Sequence, residues 1–364
     1  MQTASKKYIL TQEDKLYFQK FVAKDGEEYG LRFGNPNDAI TISRIFKEIY
    51  GFEYVNPIVY NINLLKRELS KKNNLWFIGE SIKNNEIAGA GLIEVDRYIA
   101  HASKAVTKKK YQGQGITTKI GAAGILTVTK MPQFDNVLRL DSDVRSSSIR
   151  SQKLIENAGA VPYGLIPAYN NFGDKRHYNL DENKPFPPQT EEGAFLYSIL
   201  FKNLWNKRDK NVYLLNNEDV IFFYEFIKKI SKKMNNDILI LENGIKNKGY
   251  ELYGVSKEPY NGIVKLYGYI KEKSLNNLLK TYRDWRIILW RIPTIKNGIS
   301  SMCLALSKGF KIVGYDIGFN NINWTLYDSV IFAYYPKCNY GCLEVNCTNT
   351  PKPLVKKIKE SFRS

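Results

Sequence analysis

The sequence predicts an α/β protein, α+β in its layering and duplicated in tandem, and three observations predict it. Short strand patterns alternate with amphipathic helical patterns along most of the chain. The span 138–159 runs strand, polar loop, Ser-rich helix start, helix and Gly, and 288–309 repeats that order over the same distance, each Gly leading into another strand. At 364 residues the chain exceeds the usual size of one core, which favours two domains.

The elements follow in order. Residues 1–28 form a polar, Lys-rich N-terminal extension with a short helix expected over 12–23. A strand is expected over 28–33. Asn35-Pro36-Asn37-Asp38 then caps a helix over 39–50, whose apolar residues Ile42, Ile45, Phe46 and Ile49 share one face. A second helix covers 62–71. Strands over 75–81 and 87–95 are joined by a polar turn, and a further strand covers 98–107. A helix over 117–129, a strand over 137–142, a helix over 148–157 closed by Gly159, and a strand from 161 to 167 complete the first half. Pro185, Pro187 and Pro188 mark 181–192 as the linker, which gives a first domain over 29–180 and a second over 193–364. In the second, strands are expected over 263–270, 285–292 and 311–317, with helices over 274–282 and 299–308 between them.

Composition narrows the partners. The formal net charge of +18 attracts anions, whether coenzyme phosphates, an acidic acyl carrier protein or nucleic acid. The basic residues are spread along the chain, which a Lys-rich composition alone would also give, and no nucleic-acid reader motif is present, so no nucleic-acid partner is expected. No apolar run approaches the roughly 20 residues of a membrane span. Met1 to Lys7 lack a signal-peptide apolar region, so no membrane partner and a cytoplasmic location are expected. Cys338, Cys342 and Cys347 cluster without a recognised metal spacing or an evident fourth ligand. They are read as free thiols, Cys303 as core, and no metal is expected.

The chemistry gathers at Lys108-Lys109-Lys110-Tyr111-Gln112-Gly113-Gln114-Gly115, between a strand and a helix. A pyrophosphate needs several backbone N–H groups aimed one way, and a helix N-terminus supplies them. Side chains would block close approach, so Gly suits the contact points. A plain strand–helix turn is the bland alternative. A dinucleotide fingerprint is disfavoured because Thr118 takes the place of its third Gly.

The segment resembles the coenzyme A loop of the GNAT superfamily of N-acyltransferases, with Gly113 and Gly115 in the pattern and Lys110 where the family has Gln or Arg. The resemblance covers roughly residues 30–169. It implies a GNAT-type mixed, mostly antiparallel sheet flanked by helices, and acetyl-CoA or another acyl-CoA as donor to an amine on a small molecule or peptide. It implies that the backbone amides of Gln112, Gly113, Gln114, Gly115 and Ile116 hold the pyrophosphate, with Lys110 and Thr117 as further coenzyme-binding residues. The pantetheine arm would follow Ala105, Val106 and Thr107, opened away from Leu140 and Asp141, with a backbone N–H near Val106 facing the acyl oxygen. Ser148 stands where the family often has Asn.

A neutral amine must lose a proton and a thiolate must leave, so a base and an acid are sought. The family frequently places a Tyr four residues before the helix-ending Gly, but here that position is Ile155, and Tyr163 is the substitute considered. For the base, His101 is favoured: the chain has two His, and this one lies mid-strand beside the expected cleft. Its bland alternatives are a satisfied strand His or a substrate contact. Asp141 is a further catalytic candidate, with Glu94 and Asp143 as other carboxylates; capping the turn before Ser148 is the structural role of Asp141 and Asp143. His177 is expected in an exposed loop.

The second unit lacks a Gly pair in the matching place. Its nearest counterpart is taken as Lys257-Glu258-Pro259-Tyr260-Asn261-Gly262, so it is read as a GNAT-like unit without a coenzyme loop that shapes the acceptor pocket. Trp285, Trp290 and Trp324 are expected in core or interface. The alternatives are a protein that binds acyl-CoA without turnover, and a transferase using a longer acyl chain or a carrier protein.

Overall fold

Pairing of strands, more than any single helix, organises the chain. The computed structural model describes residues 17–180, 183–242, 251–337 and 345–363. The first unit runs β1 (Gln19–Val22), β2 (Glu28–Phe33), α1 (Ala39–Tyr50), α2 (Ile62–Ser70), β3 (Asn74–Ser81), β4 (Glu86–Asp96), β5 (Ile99–Thr107), α3 (Ile116–Lys130), β6 (Arg139–Arg145), α4 (Ile149–Asn157), β7 (Val161–Phe172) and β8 (Thr190–Leu200). A connecting portion holds α5 (Lys202–Lys207), β9 (Asn211–Leu215), α6 (Glu218–Ser231) and β10 (Asp237–Leu241). The second unit runs β11 (Leu252–Glu258), β12 (Ile263–Tyr269), α7 (Glu272–Thr281), β13 (Ile287–Pro293), α8 (Lys296–Ser307), β14 (Lys311–Ile322), β15 (Thr325–Tyr334) and α9 (Lys352–Ser361).

Thirteen strands form one sheet in the order β1-β2-β3-β4-β5-β6-β8-β7-β14-β15-β13-β12-β11, and β9 and β10 pair separately in parallel. Only β5 with β6 and β12 with β13 run parallel within the large sheet. The duplication is legible in this order: β5-β6-β8-β7 on one side mirrors β12-β13-β15-β14 on the other, and the two copies meet at β7 and β14. Both copies break register at matched places, between Pro162 and Gly164 and between Ile166 and Asn170 in β7, and between Ile312 and Gly314 and between Asp316 and Asn320 in β14. Ala168 (φ 53°) and Gly318 (φ 61°) carry the same left-handed turn in the two strands.

Alternation along the strands sorts the core. Phe77, Ala100 and Leu140 face α3, where Ile116, Ile120 and Ala123 cover them. Trp76, Ile78, Leu92 and Val106 face the opposite way, under Ile42, Phe46 and Leu65 of α1 and α2. Among the described residues no helix is long and apolar enough to cross a membrane.

Three expectations change. The helix expected over 12–23 is not formed where it can be described: residues 19–22 are β1, paired with β2 from Gln19↔Leu31 to Val22↔Glu28. Phe18 meets Phe33 at 5.1 Å and Phe21 stacks on Tyr29 at 5.8 Å, so the aromatic residues dock on the sheet. The linker expected over 181–192 does not separate the units, because β8 follows at once and inserts between β6 and β7. Among the tryptophans, Trp285 and Trp290 are buried as expected, but Trp324 is 89% exposed in the β14–β15 turn.

Candidate active site

β5 and β6 pair at Ile99↔Arg139, Ala100↔Leu140 and His101↔Asp141, and then part. β5 continues to Thr107 with β4 on its other side. Ser142 Oγ donates to Ala102 O (3.2 Å) at the point of divergence. From there to Thr107 the β6-side edge of β5 lies along an open V. Within this stretch β5 carries a bulge opposite Gly91, with Lys104 at φ 52°. Ala105 is exposed in the bulge, whereas Val106 is buried and paired with Ala90.

The loop at the end of β5 turns its backbone outward. Gly113 and Gly115 both have φ 84°, a left-handed conformation that β-branched side chains rarely adopt. A Cβ on either would meet nothing within 4 Å, so the backbone faces open space. Gly115 is the N-cap of α3, and no side chain caps the free amides of its first turn. Thr107 and Thr117 hydroxyls meet at 2.6 Å and hold the loop's two ends together, while Gln112 Nε2 donates to Thr107 O (3.3 Å). Ile116 is buried beneath the loop. Gln114 Oε1 is buried with no protein partner.

The lysines before the loop are less free than their charge suggests. Lys108 and Lys110 both pair with Glu86, which also accepts from Tyr111 OH (2.8 Å). Hydrogen bonds from Lys108 and Lys110 pull the Glu86 carboxyl down to about 2. Lys110, named as a phosphate contact, is thus held by Glu86, though its side chain stays 54% exposed. Ser148 caps α4, its Oγ accepting from Ser151 N (3.3 Å).

His101 lies at the apex of the V. Its Nε2 is 3.4 Å from Asp143 Oδ2, and its side chain is 37% exposed. Tyr169 OH donates to the same Asp143 oxygen (2.9 Å). Burial alone would lower the His101 pKa, but the Asp143 carboxylate, helped by Glu94 and Asp141, raises it. Against the cost of burial, His101 and then Lys265 and Tyr169 hold Asp143 well below the usual carboxylate range. Glu94 stands opposite His101 across β4 and β5 and pairs with Lys104 Nζ (3.3 Å).

Two of the catalytic candidates fall elsewhere. Asp141 accepts from Arg139 Nε (2.8 Å) and is 6% exposed, so burial raises its pKa to about 6 and Arg139 occupies it. Alternation put Arg139, Asp141 and Asp143 on one face, and only Asp143 reaches the cleft. Tyr163 is buried with its ring 5.6 Å from the Arg139 guanidinium, and burial raises its phenol well above the ordinary value. It belongs to the contact between the units, not to an open cleft.

Sequence reasoning expected the second unit to border the acceptor side but passed over Tyr169 and Lys265. Asn171 N donates to Asn261 Oδ1 (3.1 Å) and Phe186 N to Pro259 O (2.8 Å), which draws the segment Pro259–Asn261 onto the far end of β7. Burial, then Glu258, Glu94, Tyr54 and Asp143, raise the Tyr260 phenol well above its ordinary value, so residues of both units share one environment. Lys265 Nζ pairs with Glu258 and stands 5.8 Å from the Tyr169 ring centroid. The signal for these residues was the segment 257–262, read as a lost coenzyme loop. It precedes β12, whereas the loop with Gly113 and Gly115 follows β5. The true counterpart is the short link from β12 to α7, where Ile270 N donates to Ser301 Oγ (3.0 Å).

The second unit also lacks the V. β12 and β13 stay paired from Ile263↔Ile287 through Tyr267↔Arg291, and Trp290 Nε1 donates to Gly268 O (2.9 Å) across the place where it would open. Glu272 begins α7, putting a negative charge where a phosphate would sit. Among the described residues no group of His, Cys, Asp and Glu is arranged to hold a metal ion, and Cys338 and Cys342 lie outside them. Cys303 and Cys347 are free thiols.

No protein-family model matches the sequence, and no curated protein matches it. Solved structures do match. The ribosomal-protein-S5-alanine acetyltransferase from Vibrio fischeri is 17% identical, covering 50% of this chain and 98% of that one, with a TM-score of 0.38. A GNAT-family acetyltransferase from Streptococcus pneumoniae is 16% identical over 48% of this chain and 99% of that one, with a TM-score of 0.37. The spermidine N-acetyltransferase SpeG from Vibrio cholerae is 13% identical over 47% of this chain and 93% of that one, with a TM-score of 0.37.

Proposed function

We propose that this chain is an N-acyltransferase that moves an acyl group, acetyl first among them, from an acyl-CoA to an amine by direct transfer. The observation that carries this reading is the divergence of β5 and β6 after His101↔Asp141, directly before a loop whose two left-handed glycines open onto the N-terminus of α3. A thioester arm laid along Ala105, Val106 and Thr107 would bring its carbonyl near His101, with its phosphates over residues 112–117.

The chemistry then asks little of the protein. The amine nitrogen attacks the thioester carbonyl, the N–C bond forms, the C–S bond breaks, and coenzyme A leaves as a thiolate. His101 takes the amine proton, directly or through water, and Asp143 stabilises the imidazolium that results. Asp141 is the weaker base candidate because Arg139 occupies it. The acceptor would lie between the two units, against Tyr54 on one side and Tyr260 on the other. The second unit, with its V closed, takes no coenzyme in this reading.

Binding without turnover is the second reading, favoured by Ile155 in the place of the family's Tyr. Purified protein, acetyl-CoA and a panel of polyamines, amino acids and peptide N-termini, followed by thiol release, separate the two. Release that depends on the amine supports transfer. Tight acetyl-CoA binding with no release across the panel supports the sensor.

A further inference from the structure

We infer that Lys265, on β12 of the second unit, is a positioning residue for the first unit's proton-accepting pair: its ammonium, set behind Tyr169, partly offsets the carboxylates that hold the His101 proton. This rests on the proposed role of His101 as base.

Asp143 is crowded with donors. One oxygen takes both His101 Nε2 (3.4 Å) and Tyr169 OH (2.9 Å). Asp143 is 24% exposed, so water stabilises its charge only in part. Lys265 stands behind Tyr169, 5.8 Å from the ring centroid, and its side chain is 17% exposed. Its field acts on Asp143 and that of Asp143 acts on it.

The charged groups around His101 make the sign definite. Asp143 and Asp141 on β6, Glu94 on β4 and Glu258 at the end of β11 are anionic. Lys104 on β5, Arg139 on β6 and Lys265 on β12 are cationic. Lys104 is spent on Glu94 and Arg139 on Asp141 and Asp316. Lys265 is paired with Glu258 and remains the cation that also acts on Asp143. Deleting it leaves the carboxylates less opposed, so the imidazolium holds its proton more tightly and less neutral base is present near pH 7. Glu258 tempers Lys265, so removing its charge should act the opposite way.

Position in the repeat gives a second reason. β12 is the counterpart of β5, yet no V opens beside it, so Lys265 serves no coenzyme in its own unit. Its face of β12 also carries Tyr267, which stacks at 5.7 Å on Phe319, a ring that itself lies 5.7 Å from Arg139 of the first unit. The cation of a unit without its own site is directed at the site of its neighbour.

The test uses the full chain and the imidazole proton signals, which are few because the sequence has two His; His177→Gln assigns them. Lys265→Met should move the His101 titration midpoint up by about half a pH unit, Lys265→Arg should restore it, and Glu258→Gln should move it down. The rising limb of the rate against pH should follow the same three displacements. An unmoved His101 midpoint in both folded Lys265→Met and folded Glu258→Gln overturns the inference. Displaced midpoints with no acyl transfer to any amine uphold the electrostatic link and overturn the transfer reading instead. If Lys265→Met does not fold, the Glu258→Gln and Lys265→Arg pair decides alone, because a midpoint unmoved in Glu258→Gln overturns the inference.

Discussion

Gly164 and Gly314 face each other across the β7–β14 seam, at equivalent positions of the two copies. A Cβ on Gly164 would lie 2.8 Å from Val313 O and 3.2 Å from Gly314 Cα. A Cβ on Gly314 would lie 2.6 Å from Tyr163 O and 2.9 Å from Gly164 Cα. In each case the obstacle is backbone, which cannot rotate aside. Gly164→Ala and Gly314→Ala should each destabilise the chain by roughly 1–3 kcal/mol, read from denaturant midpoints. The double variant should cost less than the sum, since one widening of the seam serves both methyl groups. Full additivity would mean that the strands do not meet here.

Gly113 tests the phosphate cradle. Space is not its constraint, since a Cβ meets nothing, but φ 84° is. Gly113→Val should therefore cost about 1–2 kcal/mol of local conformational energy and move the loop. Acetyl-CoA affinity, measured by calorimetry, should fall at least about tenfold, the equivalent of 1.4 kcal/mol. Gly113→Asn should lose less, because Asn tolerates the left-handed region. Equal affinity in Gly113→Val and the native chain would sink the cradle.

The two predictions draw on features of different visibility in the sequence. The loop was legible because Gly113 and Gly115 fall between a strand and a helix, and both signals are local. The repeat was legible because 138–159 and 288–309 share element order and length. The meeting of the copies was not, since Gly164 and Gly314 resemble ordinary strand glycines until pairing sets them opposite. β8 was hidden for a related reason: Pro185, Pro187 and Pro188 read as a linker, while the insertion of the next strand between β6 and β7 is a long-range choice. Tyr169 lay beyond the expected strand end at 167. Lys265 and Tyr260 reach His101's surroundings only because the segment Pro259–Asn261 docks on β7, which no periodicity encodes.

His101 gives a pH dependence of definite sign. Its pKa is raised above 6.5, so the neutral base, and with it the rate, should rise through a midpoint above that value. The effect on stability runs the other way. A raised folded pKa contributes stability that is full below about 6.5 and is lost as pH climbs through the folded value. His101→Gln should lower kcat by about 10²- to 10⁴-fold and erase the limb. Asp143→Asn should keep a limb but move it to lower pH, because the anion that raises His101 is gone. Retention of both the rate and the limb in His101→Gln would reassign the base to Glu94 or Asp143.

The seam between the copies is also electrostatic. Arg139 and Asp316 are fully buried and 2.7 Å apart, an ion pair off the hydrogen-bonding direction, and Arg139 Nη1 donates to Ile317 O (2.7 Å). Arg291 Nε reaches the other Asp316 oxygen (3.1 Å), and Arg139 Nε holds Asp141. The Phe319 ring lies beside both guanidinium groups, 5.7 Å from Arg139 and 4.5 Å from Arg291. Two Arg and two Asp balance, so losing one leaves a charge in a place water does not reach. Arg139→Met should cost roughly 3–5 kcal/mol, mostly because Asp141 loses its partner, and Asp316→Asn a similar amount because Arg291 does. Adding Asp141→Asn to Arg139→Met should recover part of the loss, since the stranded carboxylate is then neutral. A double-mutant cycle in guanidinium chloride reads that recovery directly. Losses below about 1 kcal/mol for both single variants would show that the four charges are solvated after all, and that the seam is held by the strand pairing at Gly164 and Gly314 and its apolar neighbours.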